Sequence, residues 1–197
     1  MSSIQLNKML AGELYDASDA TLVEARLRAR RLLAEYNASA PDDLTGRTQI
    51  LQELLGRAEQ GIYIEPPFRC DYGSYMFVGQ RFYANFNLVV LDCAPVVIGD
   101  DVLIGPNVGI YTATHPVCPE LRKKGLEYAQ EIRIDNGVWI GGGSTICPGV
   151  HIGENSVIGA GSVVTKDIPP NVVAVGNPCR VLRPISEADR ERFPQMG

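Results

Sequence analysis

The sequence has few basic residues, and this limits the ligands that the protein can bind. Its 18 lysines and arginines stand against 23 aspartates and glutamates, which gives a net charge of −5. A nucleic-acid-binding domain normally presents a strongly positive surface, so the composition excludes nucleic acid as a partner. The one basic run, at 26–31, is interspersed with leucines and alanine. It indicates the solvent-exposed face of a helix.

Cysteine pairs and long apolar segments are also missing. The five cysteines are odd in number and none belongs to a Cys-x-x-Cys pair, so we expect neither a disulfide framework nor a zinc ribbon. No stretch is apolar for long enough to span a bilayer, and the first residues lack the apolar core of a signal peptide. We therefore expect a cytoplasmic protein that uses no membrane and no metal.

Two regions with different periodicities follow one another. Residues 1–61 predict a helical cap of three helices, of which the first carries leucines at 6, 10 and 14. Ser18 is the expected N-cap of the second, with capping-box spacing between Thr21 and Glu24. The third is expected from Thr45 to Gln60. We expect a repetitive domain at 62–185 and a short tail at 186–197.

The repetitive region places a β-branched aliphatic residue at every sixth position. The series comprises Ile98, Ile104, Ile110, Ile134, Ile140, Ile146, Ile152, Ile158 and Val164. A period of six suits short strands separated by tight turns, each strand adding one side chain to a shared interior. Glycine often follows the aliphatic residue, where a turn has no room for a β-carbon. The pattern predicts a mainly β protein with a β-helix, interrupted by an extruded loop at about 116–131.

Longer motifs accompany these repeats over nearly the whole chain. They are Met9–Tyr15, Phe68–Gly73, Phe82–Asn87, Tyr111–Pro116, Gly137–Gly142, Val164–Pro169 and Gly176–Arg180. With them the chain resembles the hexapeptide-repeat acyltransferases, in the branch of the maltose and galactoside O-acetyltransferases. The resemblance implies a left-handed parallel β-helix, acetyl-CoA as cosubstrate, and a homotrimer with its active sites between neighbouring subunits. It favours the maltose type, because the galactoside pattern has an acidic residue where this chain has Cys93.

Only two histidines are present, at 115 and 151. His115 lies where the repeats give way to the extruded loop, and loops on rigid scaffolds commonly carry function. Acetyl transfer to a hydroxyl needs a base, and imidazole titrates near physiological pH. We therefore expect His115 to be the general base in a direct attack without an acyl-enzyme. His151 stands within regular repeats, and we interpret it as a surface residue.

The resemblance also implies residues for both substrates. For the sugar acceptor it points to Asp16, Asp71 and Asn85, although Asp16 can also be a helix-end charge and Asn85 a turn residue. For acetyl-CoA it points to the Gly142 amide, which is also a candidate oxyanion donor, and to Ala160, Thr165 and Lys166. Arg180 and Arg183 would meet the phosphates, since guanidinium groups suit them. Lys166 and Arg180 can equally be exposed tail charges, and Trp139 either lines the thioester channel or is a packed repeat residue.

Three other functions are alternatives on the same fold, and the sequence excludes the first of them. A zinc-dependent carbonic anhydrase needs about three histidine ligands, and two histidines cannot supply them. A non-enzymatic scaffold would place no special residue at position 115. An oligosaccharide acetyltransferase of the nodulation type shares much of the pattern, and the sequence does not separate its acceptor from maltose or glucose.

Overall fold

The computed structural model describes residues 3–191, and of Arg190 its backbone only. Five helices lie in this part of the chain: Ile4–Leu10, Ala20–Ala38, Leu44–Leu54, Pro119–Lys123 and Glu187–Glu191. The last helix covers the first part of the expected tail, whose remainder lies outside the described residues. None of the helices in residues 3–191 is long and apolar enough to cross a membrane.

The strands form a left-handed parallel β-helix of three-sided coils, and the predicted fold class is confirmed. Sheet A contains Arg57–Ala58, Met76–Val78, Val96–Ile98, Ile132–Ile134 and His151–Ile152. Sheet B contains Tyr63–Ile64, Tyr83–Ala84, Leu103–Ile104, Trp139–Ile140, Val157–Ile158 and Val172–Val175, to which Arg180–Pro184 adds an antiparallel strand. Sheet C contains Arg69–Cys70, Val89–Leu91, Gly109–Tyr111, Thr145–Ile146 and Val163–Val164. Each coil passes through A, then B, then C.

The predicted aliphatic series forms the interior of the β-helix. All nine side chains are at most 1% exposed. They stack in register from coil to coil, as Ile98 on Ile134 and Ile134 on Ile152 do in sheet A. Burying each such side chain contributes roughly 2 kcal/mol, an upper estimate because unfolded chains already bury some surface. These nine side chains form one part of a larger buried core that also contains the interior residues of the first two coils and residues of the cap helices.

The three-sided coils give the β-helix three edges, of which one is irregular and two are regular. Between sheets A and B, and between B and C, successive interior positions are six residues apart, as from Ile98 to Ile104 and Ile110. At the C–A edge, where the chain passes from sheet C to the next strand of sheet A, the spacing is eight residues from Cys70 to Val78. From Ile110 to Ile134 it is 24. The extra residues of the early coils therefore all project at the C–A edge.

The extruded segment is more ordered than a loop. Strands Ala113–Thr114 and Leu126–Ala129 form an antiparallel hairpin around the short helix at 119–123. A strand of the N-terminal region, Tyr15–Asp16, pairs with the outer strand of this hairpin. The helical cap thus contacts the hairpin directly, which the sequence analysis did not predict.

The ends of two cap helices differ from expectation. Asp19, not Ser18, is the N-cap of the second helix, because its carboxylate accepts hydrogen bonds from the amides of Thr21 and Leu22. The third helix ends at Leu54, six residues before Gln60. The chain is already extended at Arg57 in the first coil, where it pairs with Phe77 of the second coil. Backbone pairing with the next coil outweighs helix propensity there.

Candidate active site

His115 lies directly after the first strand of the hairpin and is exposed. Its Nδ1 is 3.5 Å from the carbonyl oxygen of Leu126, on the opposite hairpin strand. A carbonyl can only accept, so this contact favours the tautomer with the proton on Nδ1 and a free lone pair on Nε2. The contact therefore leaves Nε2 as the ring nitrogen that can accept a hydrogen bond.

Two of the three predicted acceptor residues lie near this hairpin. Asp16 pairs in register with Leu126, and Asp71 lines a cavity of about 210 Å³ together with Glu127 of the same hairpin strand. The cavity is completed by Ala17, Arg26, Arg30, Tyr72 and Cys93. Side chains of both charge signs around a small cavity suit a ligand rich in hydroxyl groups.

The two carboxylates at this edge have opposite pKa shifts. Hydrogen bonds from the hydroxyl and amide of Ser18 lower the pKa of Asp16. Burial raises the pKa of Asp71, although the thiol of Cys93, 3.5 Å away, donates to its carboxylate. Burial likewise raises the pKa of the Cys93 thiol, so Cys93 contributes a neutral donor to the cavity.

Arg26 corrects one interpretation of the sequence. It is half-buried and not simply on a solvent-exposed face, because its guanidinium donates to the hydroxyl of Tyr72 at 2.7 Å and to the carbonyl of Ala17 at 2.6 Å. It thereby ties the second helix to the segment that follows Asp71. The periodicity of the basic run gave no signal that separated Arg26 from Arg28 and Arg31, which are exposed.

The third predicted acceptor residue lies on another edge. Asn85 follows the second strand of sheet B, at the B–C edge, and its side-chain oxygen accepts from the amide of Phe86 at 2.7 Å. Residues 85, 105, 141 and 159 stack from coil to coil in one hydrogen-bonded column. The residue that follows each of them therefore has the same position in its own coil. Gly142 and Ala160 thus correspond to Phe86, two and three coils further on. Within one chain, Asn85 and the predicted cosubstrate amides are therefore separate from His115.

The B–C edge leaves particular backbone amides available. In the first and third coils the second turn residue is a proline, Pro66 or Pro106, and in the second coil the amide of Phe86 is bound by Asn85. The amides of Gly142 and Ala160 donate to no group in residues 3–191. The turn is tight, since a β-carbon on Gly105 would come within 2.5 Å of the Gly142 nitrogen. Two unpaired donors of adjacent coils fit a chain of amides such as pantetheine.

The other predicted cosubstrate residues are all exposed. Trp139 is on the outer face of sheet B with 52% of its surface exposed, so it is not a packed interior residue. Thr165 and Lys166 lie on the C–A edge, two coils beyond the hairpin, and Arg180 begins the last strand. Arg183 is already paired, because both its terminal nitrogens reach the carboxylate of Asp189, at 2.7 and 2.6 Å. A phosphate would have to displace that exposed pair.

The second histidine has different surroundings. His151 is exposed on sheet A, as expected, and its Nε2 is 2.8 Å from a carboxylate oxygen of Asp135. Within residues 3–191 no group of three His, Cys, Asp or Glu side chains is arranged to hold a metal ion.

A hexapeptide β-helix that combines an oriented histidine with unpaired backbone amides defines an acyltransferase of the hexapeptide-repeat class. Comparison with known proteins narrows the class. The maltose acetyltransferase hexapeptide capping motif matches residues 8–59, the hexapeptide repeat of succinyl-transferase matches 95–115, and the bacterial transferase hexapeptide matches 131–166.

Relatives and solved structures agree with these matches. A galactoside acetyltransferase in complex with coenzyme A is 47% identical, with a TM-score of 0.92 over 96% of this chain and 94% of that one. A maltose O-acetyltransferase from Clostridium difficile is also 47% identical, with a TM-score of 0.92 over 94% and 100%. Nodulation protein L of Rhizobium meliloti is 48% identical over 181 residues, 92% of this chain and 99% of the relative. The chain belongs to the maltose and galactoside O-acetyltransferase family and is an acetyl-CoA-dependent O-acetyltransferase.

Proposed function

We propose that the protein transfers the acetyl group of acetyl-CoA to a hydroxyl of a maltose- or glucose-type sugar, with His115 as general base. The site is formed between two subunits of a homotrimer. The observation that carries the base assignment is the contact of His115 Nδ1 with the carbonyl of Leu126, because it leaves Nε2 as the proton acceptor.

The residues divide the chemistry between them. His115 Nε2 accepts the proton of the attacking hydroxyl while the hydroxyl oxygen forms its bond to the thioester carbon. The Gly142 amide donates to the carbonyl oxygen as that oxygen gains negative charge. When the carbon–sulfur bond breaks, His115 returns the proton to the departing thiolate. No covalent enzyme intermediate is needed.

The separation of the two edges supports a site between subunits. Asp16, Asp71, His115, Thr165 and Lys166 lie near or on the C–A edge of a chain, whereas Asn85, Gly142 and Ala160 lie on its B–C edge. These residues can act on one sugar and one thioester only if the C–A edge of one subunit faces the B–C edge of its neighbour. A cyclic arrangement of three copies satisfies both edges of every chain.

Two features favour the maltose-type acceptor. The capping region at 8–59 matches the maltose acetyltransferase motif. Cys93 places a neutral thiol beside Asp71, where the resemblance gives galactoside enzymes an acidic group. Asp71 then accepts from the sugar with a neutral thiol, not an acidic group, beside it at position 93.

An oligosaccharide acceptor of the nodulation type is the second candidate. The identity to nodulation protein L, over almost the full length of both chains, favours it. Turnover measured as released thiol with maltose, glucose, a β-galactoside and glucosamine oligomers distinguishes the acceptors. A kcat/KM at least about tenfold higher for glucosamine oligomers than for maltose would replace the maltose assignment, since that ratio corresponds to ~1.4 kcal/mol.

Mixed trimers test the proposed site. His115→Ala removes the base at the C–A edge, and Ala160→Trp blocks the cosubstrate amides at the B–C edge, where Ala160 is exposed. Each variant alone is expected to be inactive. Co-expressed in equal amounts, they assemble at random into trimers in which about a quarter of all sites combine an intact His115 with an intact Ala160, or about one site in three within each mixed trimer.

Recovery of roughly that fraction of wild-type turnover supports a site shared by two subunits. Mixed oligomers, verified by two affinity tags, that stay inactive would contradict it. The separately purified variants, combined without subunit exchange, are the control. Size-exclusion chromatography of Ala160→Trp establishes that the variant still assembles.

A further inference from the structure

Asp92 is a buried carboxylate for which the proposed mechanism has no use. It follows the second strand of sheet C at the C–A edge, and its side chain is inaccessible to solvent. No cation lies within salt-bridge distance of it in residues 3–191. Burying a carboxylate without a cation is costly, and such groups persist where hydrogen bonds satisfy them.

The partners of Asp92 are backbone amides from one segment of the preceding coil. Oδ1 accepts from the amides of Asp71 and Tyr72, at 3.1 and 2.9 Å, and Oδ2 accepts from the amide of Tyr75 at 3.3 Å. Residues 71–75 are the extra residues of the first coil at the C–A edge. One side chain therefore collects three donors from the segment that carries a predicted acceptor residue.

The chemistry of these contacts requires a carboxylate. Three donors need acceptors on two oxygens, and an ionised aspartate offers acceptors only. An asparagine in the same place could accept from Asp71 and Tyr72, but its amide nitrogen would face the N–H of Tyr75. The substitution therefore preserves shape while it replaces one attraction with a donor–donor contact.

Other contacts hold the segment on its remaining sides. Gly73 adopts a positive φ of 71° and lies against Leu54, where a β-carbon would come within 2.6 Å of the leucine side chain. Tyr72 receives the hydrogen bond from Arg26. Between these contacts, the amide of Asp71 is shared by Asp92 Oδ1 at 3.1 Å and the carbonyl oxygen of Val90 at 3.2 Å, and the Asp71 side chain lines the 210 Å³ cavity.

We propose that Asp92 is a positioning residue for the sugar acceptor: it holds segment 71–75 through three backbone amides and so sets the place of the Asp71 carboxylate. The inference rests on the proposed role of Asp71 in acceptor binding. The positioning role does not involve the B–C edge, where the cosubstrate amides lie. It should therefore change the KM for the sugar and not the KM for acetyl-CoA, whereas a general loss of structure would change both.

A double-mutant cycle on the trimer tests the inference. At pH 8, above the raised pKa of Asp92, Asp92→Asn is expected to raise the sugar KM about tenfold, with the acetyl-CoA KM unchanged, because a displaced hydrogen-bonding group loses contacts worth that factor. Asp71→Ala is expected to raise the sugar KM at least as much, and Asp92→Asn is expected to add nothing in the Asp71→Ala background. Asp43→Asn is the matched control, since Asp43 also accepts from a backbone amide, that of Gly46, far from the cavity.

The outcomes distinguish the acceptor role of Asp71 from the positioning role of Asp92. If Asp71→Ala leaves the sugar KM unchanged, the acceptor role of Asp71 is wrong. If Asp71→Ala raises it but Asp92→Asn does not, or if the two effects simply multiply, the positioning role is wrong. Should Asp92→Asn not assemble, Asp92→Glu takes its place, because it keeps both oxygens and displaces the segment by one methylene.

Discussion

The two edges that flank sheet C are built differently. The B–C edge repeats every six residues and presents backbone amides at Gly142 and Ala160. The C–A edge contains every long insertion of the early coils and presents side chains, among them Asp71 and His115. The regular edge can form hydrogen bonds to the amide groups of the pantetheine arm of a cosubstrate. The irregular edge can supply side chains for catalysis and for selection of the acceptor.

The difference has a physical reason. A repeat that stacks in strict register exposes the same backbone groups in each coil, so it can offer amides but little variety of geometry. An insertion leaves the interior ladder intact and adds side chains outside it. The hairpin that holds His115 is the largest such insertion, and its pairing with Tyr15–Asp16 fixes it to the cap.

The largest expected effect comes from removing the side-chain chemistry of the irregular edge. His115→Ala should lower kcat about a thousandfold with little change in the KM for acetyl-CoA, because general-base catalysis typically contributes 10² to 10⁴. The measurement is steady-state release of free thiol. His151→Ala is the matched control, since His151 is the other histidine and is exposed on sheet A. An equal loss of kcat in His115→Ala and His151→Ala would contradict the assignment of His115 as the base.

The outer face of sheet B, next to the regular edge, predicts a smaller effect, on cosubstrate binding. Trp139 and Leu103 are neighbours on the outer face of sheet B, in adjacent coils, with 52% and 48% of their surfaces exposed. If Trp139 lines the thioester channel, Trp139→Ala should raise the acetyl-CoA KM about tenfold, as expected for an aromatic contact of ~1.4 kcal/mol. Leu103→Ala should change it less than Trp139→Ala does. The acetyl-CoA KM from steady-state thiol release checks both, and an equal rise in the two variants would assign Trp139 to general surface packing.

The sequence predicts the regular part of the molecule well, because its cause is local. A buried aliphatic residue every six positions needs only short strands and tight turns, and the nine predicted side chains from Ile98 to Val164 are all interior. His115 and the amide of Gly142 could be proposed because they belong to motifs within or beside these repeats. The family comparisons then confirm the fold and the enzyme class.

The irregular edge could not be predicted, because its contacts join residues far apart in sequence. The strand at Tyr15–Asp16 pairs with Leu126–Ala129, and no local pattern connects segments more than a hundred residues apart. Asp92 reads as an ordinary polar residue after a strand, and its three donors become visible only when two coils are stacked. The third helix ends at Leu54 and not at Gln60, as predicted, for the same reason: the pairing of Arg57 with the second coil decides where the helix stops.

The smallest predicted effect is on thermal stability. Asp92 and Asp16, two carboxylates near the irregular edge, should change this stability with pH in opposite directions. Burial raises the pKa of Asp92 to about 7 against the opposing effect of its amide donors. The folded state therefore holds this proton more tightly than the unfolded state does. Asp92 thus contributes stability that is present below about pH 4 and is lost as the pH rises to about 7.

Asparagine carries no such proton, so the melting temperature of Asp92→Asn should improve relative to wild type between pH 4 and pH 8. Asp16 should behave in the opposite way, because its pKa is lowered by Ser18 and its contribution is present at neutral pH and lost in acid. The Asp16→Asn variant should therefore be most destabilised, relative to wild type, at pH 8. Thermal melts at the two pH values measure both differences. The same sign in both variants would mean that Asp92 is stabilised as an anion, with its three amide donors outweighing its burial.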